Sequence, residues 1–213
     1  MSITLIIIII TVLISISALN NDKIMNDLIF DPPAVTYQKQ WYRFFTSGFL
    51  HADYIHLAFN MYGLYIFGQY VEVDFVRIFG DLGRVMYLLM YILSLFFCLL
   101  PTYSQHKTNS SYRSLGASGA VSAVIFAFIL LNPLIPMGLL FLPFRIPGFA
   151  FGLLFLIISS FLDKRGGGNV NHSAHIWGAL FGIAFLIVAC FALSDYKPLS
   201  VFIDQVRMYF SNF

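Results

Sequence analysis

The feature that most constrains this chain is a succession of apolar runs too long and too closely spaced for a water-soluble fold. Six can be marked: Ile3 to Leu19, Tyr54 to Val71, Val85 to Leu100, Leu115 to Leu131, Gly148 to Leu162 and Asn171 to Leu193. A hydrocarbon core about 30 Å thick takes roughly 20 residues of apolar helix to cross. Backbone in hydrocarbon must satisfy its own polar groups, so runs of this kind read as helices. Charged residues make up only 10% of the chain, against about 25% in soluble domains. The mean hydropathy is +0.82. The expected fold is an all-α, multi-pass membrane protein: one six-transmembrane-helix bundle in a lipid bilayer. Residues 1–213 form a single domain, of which 194–213 are a short polar and aromatic tail that can lie in the interface as a helix. A net charge of +2 gives no argument for a nucleic-acid partner.

The segments between the runs carry the rest of the organisation. Ile3 to Leu19 has no basic residue before it and no Ala-x-Ala site after it, so it reads as an uncleaved first span. Asn20 to Asp53 is a long loop in which Asp31-Pro32-Pro33 breaks any long helix. Its many aromatic residues suit a segment lying in the membrane interface, where Arg43 either snorkels or ties the loop down by hydrogen bonds. Glu72 to Arg84 reads as a charged connection, Pro101 as the stop of the third span, and Thr102 to Ser114 as a polar loop. Asn132 to Pro147, with Pro133, Pro136 and Pro143, reads as a loop partly sunk in the membrane. Asp163 to Asn169, with three glycines, reads as a flexible turn. Cys98 and Cys190 lie inside apolar runs and read as buried small residues. With both termini cytoplasmic, Arg77, Arg84, Arg145, Lys197 and Arg207 face inward. The other seven of the 12 basic residues then face outward, so charge alone does not support this orientation.

Polar residues inside apolar runs are costly and usually face the bundle interior. Gly116-Ala117-Ser118-Gly119 stands where the polar loop enters the fourth run. The glycines clear space around the Ser118 hydroxyl, and a helix N-terminus offers unpaired N–H groups that can stabilise an oxyanion. Taken alone, the tetrapeptide reads more readily as small-residue helix packing, and only the other parts of the chain reverse this. The last run opens with Asn171-His172-Ser173-Ala174-His175, and His175, Gly178 and Gly182 share one helix face. Gly119, Ala123 and Ala127 form a matching small face on the fourth run. Spans of even number run the same way, so Ser118 and His175 enter the membrane from one surface at one depth. A serine hydroxyl needs such a base to take its proton. His56 and Asn60, at i and i+4 of the second run, come in from the same side and carry N–H donors, as an oxyanion pocket requires. A structural polar pair is their alternative reading. His51 reads as a loop-stabilising residue, and His106 and His172 have no assigned task. The histidine spacing matches no metal-ligand pattern, and no metal or other cofactor is expected.

These residues resemble the rhomboid family of intramembrane serine proteases. The resemblance rests on Trp41-Tyr42-Arg43-Phe44-Phe45-Thr46, His51-x4-His56-x3-Asn60, Glu72, Gly116-Ala117-Ser118-Gly119 and Ala174-His175-Ile176-Trp177-Gly178-x3-Gly182, in that order. It implies a six-helix bundle with a cavity open to the outside and a Ser118–His175 dyad without a third acid. It also implies an oxyanion site from His56, Asn60 and the Ser118 N–H, and single-span membrane proteins as substrates. The plasma membrane is the expected location, with the termini in the cytoplasm. Many relatives carry tyrosine four residues after the nucleophile; here Ser122 stands there, so Ser122 or Phe126 is expected to support His175. Ser173 replaces a common glycine. The alternatives are a rhomboid-like protein that binds membrane clients without cutting them, and a small transporter lined by the same polar residues.

Overall fold

A computed structural model describes residues 2–138, 145–166 and 170–211. The protein is mostly helical. Eleven α-helices are assigned among the described residues. The first, α1 (Ile3–Leu19), is followed by three short helices, α2 (Asp22–Leu28), α3 (Pro32–Gln38) and α4 (Arg43–Thr46). Then come α5 (Tyr54–Phe79), α6 (Gly83–Phe97), α7 (Leu100–His106), α8 (Ser118–Leu131), α9 (Gly148–Arg165), α10 (His172–Leu193) and α11 (Pro198–Ser211). Two stretches, Tyr54–His106 and His172–Leu193, are long and apolar enough to cross a membrane, while Ile3–Leu19 and Ser118–Leu131 are shorter apolar helices.

The fold is built around α8. All of its 14 residues except Ser118 and Ile125 are buried. It packs against α5, α6, α9, α10 and α11. A helix as apolar as this has little reason to be central in lipid, since lipid tails are as apolar as most of its side chains. What draws it inward is small residues that let backbones approach. A Cβ added to Gly178 would collide with the Gly119 carbonyl, and one added to Gly182 with the Ala123 carbonyl. The small faces expected from the sequence therefore meet. By contrast α9 stands at the edge, packed on α8 and α10. It buries only Gly148, Gly152 and Ser159, and turns Leu153, Leu154, Ile157, Ile158 and Phe161 outward.

Helix α1 buries Thr4, Ile7, Thr11, Ser15 and Ala18 along one stripe. Thr4 meets a carboxylate there: Glu72 accepts hydrogen bonds from the N–H of Ile3 (2.8 Å) and from the N–H (3.0 Å) and hydroxyl (2.9 Å) of Thr4. Glu72 thus answers the unpaired donors that begin every helix. The Thr4 hydroxyl also lies 3.0 Å from that of Tyr87 on α6.

Several expectations are corrected. Glu72 to Arg84 is not simply a connection: α5 continues to Phe79 with Glu72 buried inside the bundle. Hydropathy marks where lipid contact ends, and the helix outlasts it. Pro101 does not stop a helix; it sits in the first turn of α7, where proline lacks no needed N–H. The loop Asn20 to Asp53 folds as α2, α3, α4 and a 3-10 turn, with the Asp31 carboxylate capping α3 through the Ala34 N–H at 3.1 Å. Helix α8 begins at Ser118, not Leu115. The fold is not purely α-helical: Pro136–Met137 (β1) pairs antiparallel with Ile146–Pro147 (β2), a ladder short enough to tolerate proline at its ends. Pro143 and the Gly167-Gly168-Asn169 part of the flexible turn lie outside the described residues.

Arg43 ties the aromatic segment down. Its guanidinium is buried and donates to the carbonyls of Asn26 (2.9 Å) and Ile29 (2.6 Å). Around it Phe30, Trp41, Phe96 and Tyr103 pack on Phe44.

Candidate active site

The loop leading to Ser118 is held by backbone pairing, not left to its own flexibility. Phe30 and Ser114 exchange hydrogen bonds at 3.0 and 3.1 Å, and the Gly116 N–H donates to the Ser47 carbonyl at 3.0 Å. Gly116 has φ +121°, a conformation that side chains strongly disfavour. It also has little room for one: a Cβ there would lie 3.0 Å from His56 Cε1 and 3.2 Å from His56 Nε2. The same point is 3.8 Å from Ser118 Oγ. Gly116 therefore lets the His56 ring and the Ser118 hydroxyl approach the same small space.

Ser118 is the first residue of α8, so its own N–H has no acceptor within the helix. Its Oγ lies 2.8 Å from His175 Nε2. His175 reaches this position from the first turns of α10, whose N-cap Asn171 accepts from the Ala174 N–H at 3.0 Å. Sequence reasoning gave Asn171 no task, yet its side chain also hydrogen-bonds to Thr102 of α7 and to the Ser114 hydroxyl at 3.4 Å. One amide thus joins the start of the histidine helix to the loop that carries the serine. A cap three residues before a helical Ala is a readable signal; its partners are not.

Among the described residues His175 has no hydrogen bond to Ser122 and no ring contact with Phe126. Its ring contacts are Phe155 of α9, centroids 6.1 Å apart, and His172, centroids 5.7 Å apart with planes at 87°. Phe126 acts one step removed, packing on Phe155 at 5.6 Å. Ser122 is buried in α8.

His56 and Asn60 are differently placed. The Asp53 carboxylate accepts from the His56 N–H at 2.7 Å and caps α5. Ring nitrogen Nδ1 of His56 faces the Ala52 N–H at 3.4 Å. That leaves Nε2 on the side of Gly116 and Ser118. Asn60 is buried, and its Nδ2 donates to the His56 carbonyl at 3.0 Å, within its own helix. His51 is fully buried, with Nδ1 3.1 Å from the Ser15 hydroxyl of α1 and its ring 4.9 Å from that of His56. Burial pushes the His51 ring down to about 4, with the neighbouring His56 adding to the effect and Asp53 opposing it. The loop-stabilising role expected of His51 matches its place between α1 and α5.

Two cavities lie near the dyad, one reaching His175 and the other only its neighbour His172. One, about 580 Å3, is lined by Met137, Ile146, Phe151, Phe155, His172 and His175, with other apolar side chains of α9. The other, about 380 Å3, is lined by Thr102, Gln105, Tyr112, Asp163, Arg165 and His172, among others. Among the described residues no three His, Cys, Asp or Glu side chains converge as metal ligands do. Cys98 and Cys190 are free and buried.

Ser118 at the start of α8 thus faces His175 at hydrogen-bond distance, with the His56 ring edge beside Gly116. Comparison with known proteins places the fold. The rhomboid domain matches residues 38–191, so the chain belongs to the rhomboid family, whose members are integral membrane proteins. It is 31% identical to YdcA of Bacillus subtilis over 155 residues, 70% of this chain and 68% of that protein. It is 35% identical over 144 residues to the mitochondrial RHOMBOID-like protein 12 of Arabidopsis thaliana, covering 63% of this chain and 42% of the relative. It is 26% identical over 162 residues to rhomboid protease GlpG of Pectobacterium atrosepticum, 76% of this chain and 52% of the relative. The match thus spans less than half of the plant protein and about half of GlpG.

Proposed function

We propose that the protein is an intramembrane serine endopeptidase that cuts transmembrane segments of single-span membrane proteins. The reading carries six spans, α1, α5, α6, α8, α9 and α10, in one domain over residues 1–213. The 2.8 Å approach of His175 Nε2 to Ser118 Oγ is the observation that supports it most. Nothing in helix packing requires a serine and a histidine to meet at the mouths of two parallel helices.

In this reading Ser118 Oγ attacks the substrate carbonyl carbon while His175 Nε2 takes its proton. The developing oxyanion is met by the Ser118 N–H and His56 Nε2, with Asn60 reinforcing the pocket. His175 then protonates the leaving amine. Water completes the cycle by hydrolysing the acyl-enzyme. Substrates unwind near the cut, because helical carbonyls are already occupied by hydrogen bonds. They come in laterally beside α9, which has the smallest share of buried residues among the six spans. No cofactor takes part.

The test is cleavage of single-span substrates by the purified protein in vesicles, with labelling by a serine-directed fluorophosphonate. Wild type should cut and label. Ser118→Ala and His175→Ala should do neither while staying folded. Cleavage by Ser118→Ala at a comparable rate would overturn the assignment. A folded wild type that binds substrates without cutting or labelling would favour the client-binding alternative.

A further inference from the structure

Each member of the dyad has a polar residue four places ahead of it: Ser114 before Ser118 and Asn171 before His175. These two residues meet. The Asn171 side-chain nitrogen donates to the Ser114 hydroxyl at 3.4 Å and to the Thr102 hydroxyl of α7 at 3.1 Å. Its oxygen accepts from the Ala174 N–H at 3.0 Å, capping α10, and also lies 3.2 Å from the Thr102 hydroxyl. Thr102 is buried, so water competes little for the bonds of this joint.

Both arms leading from the joint to the dyad are stiff. On the histidine side the arm is one turn of helix, with the His175 N–H donating to the Asn171 carbonyl at 3.4 Å. On the serine side Ser114 is paired with Phe30, and the Gly116 N–H is held by the Ser47 carbonyl. A shift of the Asn171 amide is therefore passed on to both reacting side chains. The glycine contacts farther along the helices have a different effect. Gly178 against Gly119 and Gly182 against Ala123 set how near α10 comes to α8. Backbone contact of this kind has no preferred direction, whereas hydrogen bonds do. It leaves α10 able to roll or slide slightly, and the 2.8 Å approach of His175 Nε2 to Ser118 Oγ tolerates neither.

Resting on the protease reading, we infer that Asn171 is a positioning residue of the dyad. Its amide fixes the roll and height of His175 relative to Ser118 by tying the first turn of α10 to the serine loop and to α7. Asn171 touches neither substrate nor the reacting atoms, and no proton passes through it. Its influence falls on the step in which Ser118 Oγ gives up its proton to His175. Binding of the substrate segment beside α9 does not use it.

The experiment compares Asn171→Ser, and the pair Thr102→Val with Ser114→Ala, with wild type in vesicles. Serine caps a helix about as well as asparagine, but it is too short to reach α7 and the serine loop. Three quantities are read: the rate of fluorophosphonate labelling, kcat and KM for a single-span substrate, and Tm. Expected for Asn171→Ser is labelling slowed about tenfold or more, kcat lowered to match, KM unchanged and a Tm close to that of wild type. The paired variant, which keeps Asn171 and its cap, should lose as much. Combining all three changes should add nothing, because the groups act as one unit. A merely structural role would lower Tm and leave the kcat of the folded protein alone. Wild-type labelling by either variant, losses that multiply on combination, or a raised KM at unchanged kcat would each overturn the inference. Should Asn171→Ser not fold, the paired variant decides by itself. Failure of the protease reading looks different: wild type itself would neither label nor cut.

Discussion

Gly182 rests directly on the backbone of Ala123, with no room between them for a single methyl group. Gly178 bears the same relation to Gly119, the residue after Ser118. The depth and spacing of the serine–histidine pair therefore follow from two glycines that take no part in chemistry. Gly182→Val must push α10 off α8. A displacement of about 1 Å at a reacting pair costs on the order of a hundredfold in rate. The variant should insert and remain folded but label with fluorophosphonate about a hundredfold more slowly. Labelling at the wild-type rate would show that this contact does not set the Ser118–His175 distance.

His56 and Asn60 should not behave alike. The His56 ring edge lies over Gly116, on the side of the Ser118 hydroxyl, whereas the Asn60 amide donates within its own helix. Removing one oxyanion donor costs about 10²–10³ in kcat. His56→Ala should show a loss of that size and Asn60→Ala a clearly smaller one, both read as kcat in vesicles. Equal losses would mean that Asn60 turns toward the substrate when it binds.

Acid should weaken the fold through His51. Its ring is fully buried and held neutral, with a folded value of about 4 against an ordinary 6.5. The unfolded chain binds the proton more readily, so this contribution is complete above pH 6.5 and falls away as pH drops toward 4. A shift of this size corresponds to at most about 3 kcal/mol. Thermal unfolding in detergent should show a lower Tm at pH 5 than at pH 7. The difference should shrink in His51→Gln, which carries no titrating ring. An equal pH effect in both proteins would assign the acid sensitivity elsewhere.

Glu72→Ala leaves three donors of the α1 N-terminus without their acceptor inside the bundle. The expected loss is about 3 kcal/mol, seen as a lower Tm. Glu72→Gln, which keeps one acceptor oxygen and the shape, should lose less. A neutral result for Glu72→Ala would mean that water replaces the carboxylate at that end of α1.

Much of the fold could be read from the chain because lipid imposes simple rules. Apolar runs marked the helix positions, even spans gave Ser118 and His175 a common depth, and the small-residue faces told which two helices meet. What escaped depended on geometry that sequence spacing does not carry. Helix α5 runs past its apolar stretch to Phe79, since a helix can leave the membrane without ending. The aromatic loop hides three short helices, each too brief for hydrophobic periodicity to register. The aromatic rings that meet His175 are Phe155 and His172. Phe155 belongs to a helix whose rotation no motif announces. The joint between Thr102, Ser114 and Asn171 brings together residues up to 69 positions apart.

Helix α1 looks, by hydropathy, like a featureless greasy rod, yet Thr4, Thr11 and Ser15 all lie on its buried stripe. In water the hydrophobic effect would choose which side of such a rod turns inward. In hydrocarbon every apolar side is equivalent, and that choice has to come from somewhere else. Here it comes from hydroxyls: Thr4 reaches Glu72 and Tyr87 at one end, and Ser15 reaches His51 at the other. These bonds are three turns apart, so together they fix both the roll and the height of the rod against its neighbours. Rolling α1 by half a turn would leave its apolar contact with lipid almost unchanged and strand the hydroxyls in oil. The residues that most weaken the span on a hydropathy plot are thus its address label, telling a helix that could face anywhere which way to face.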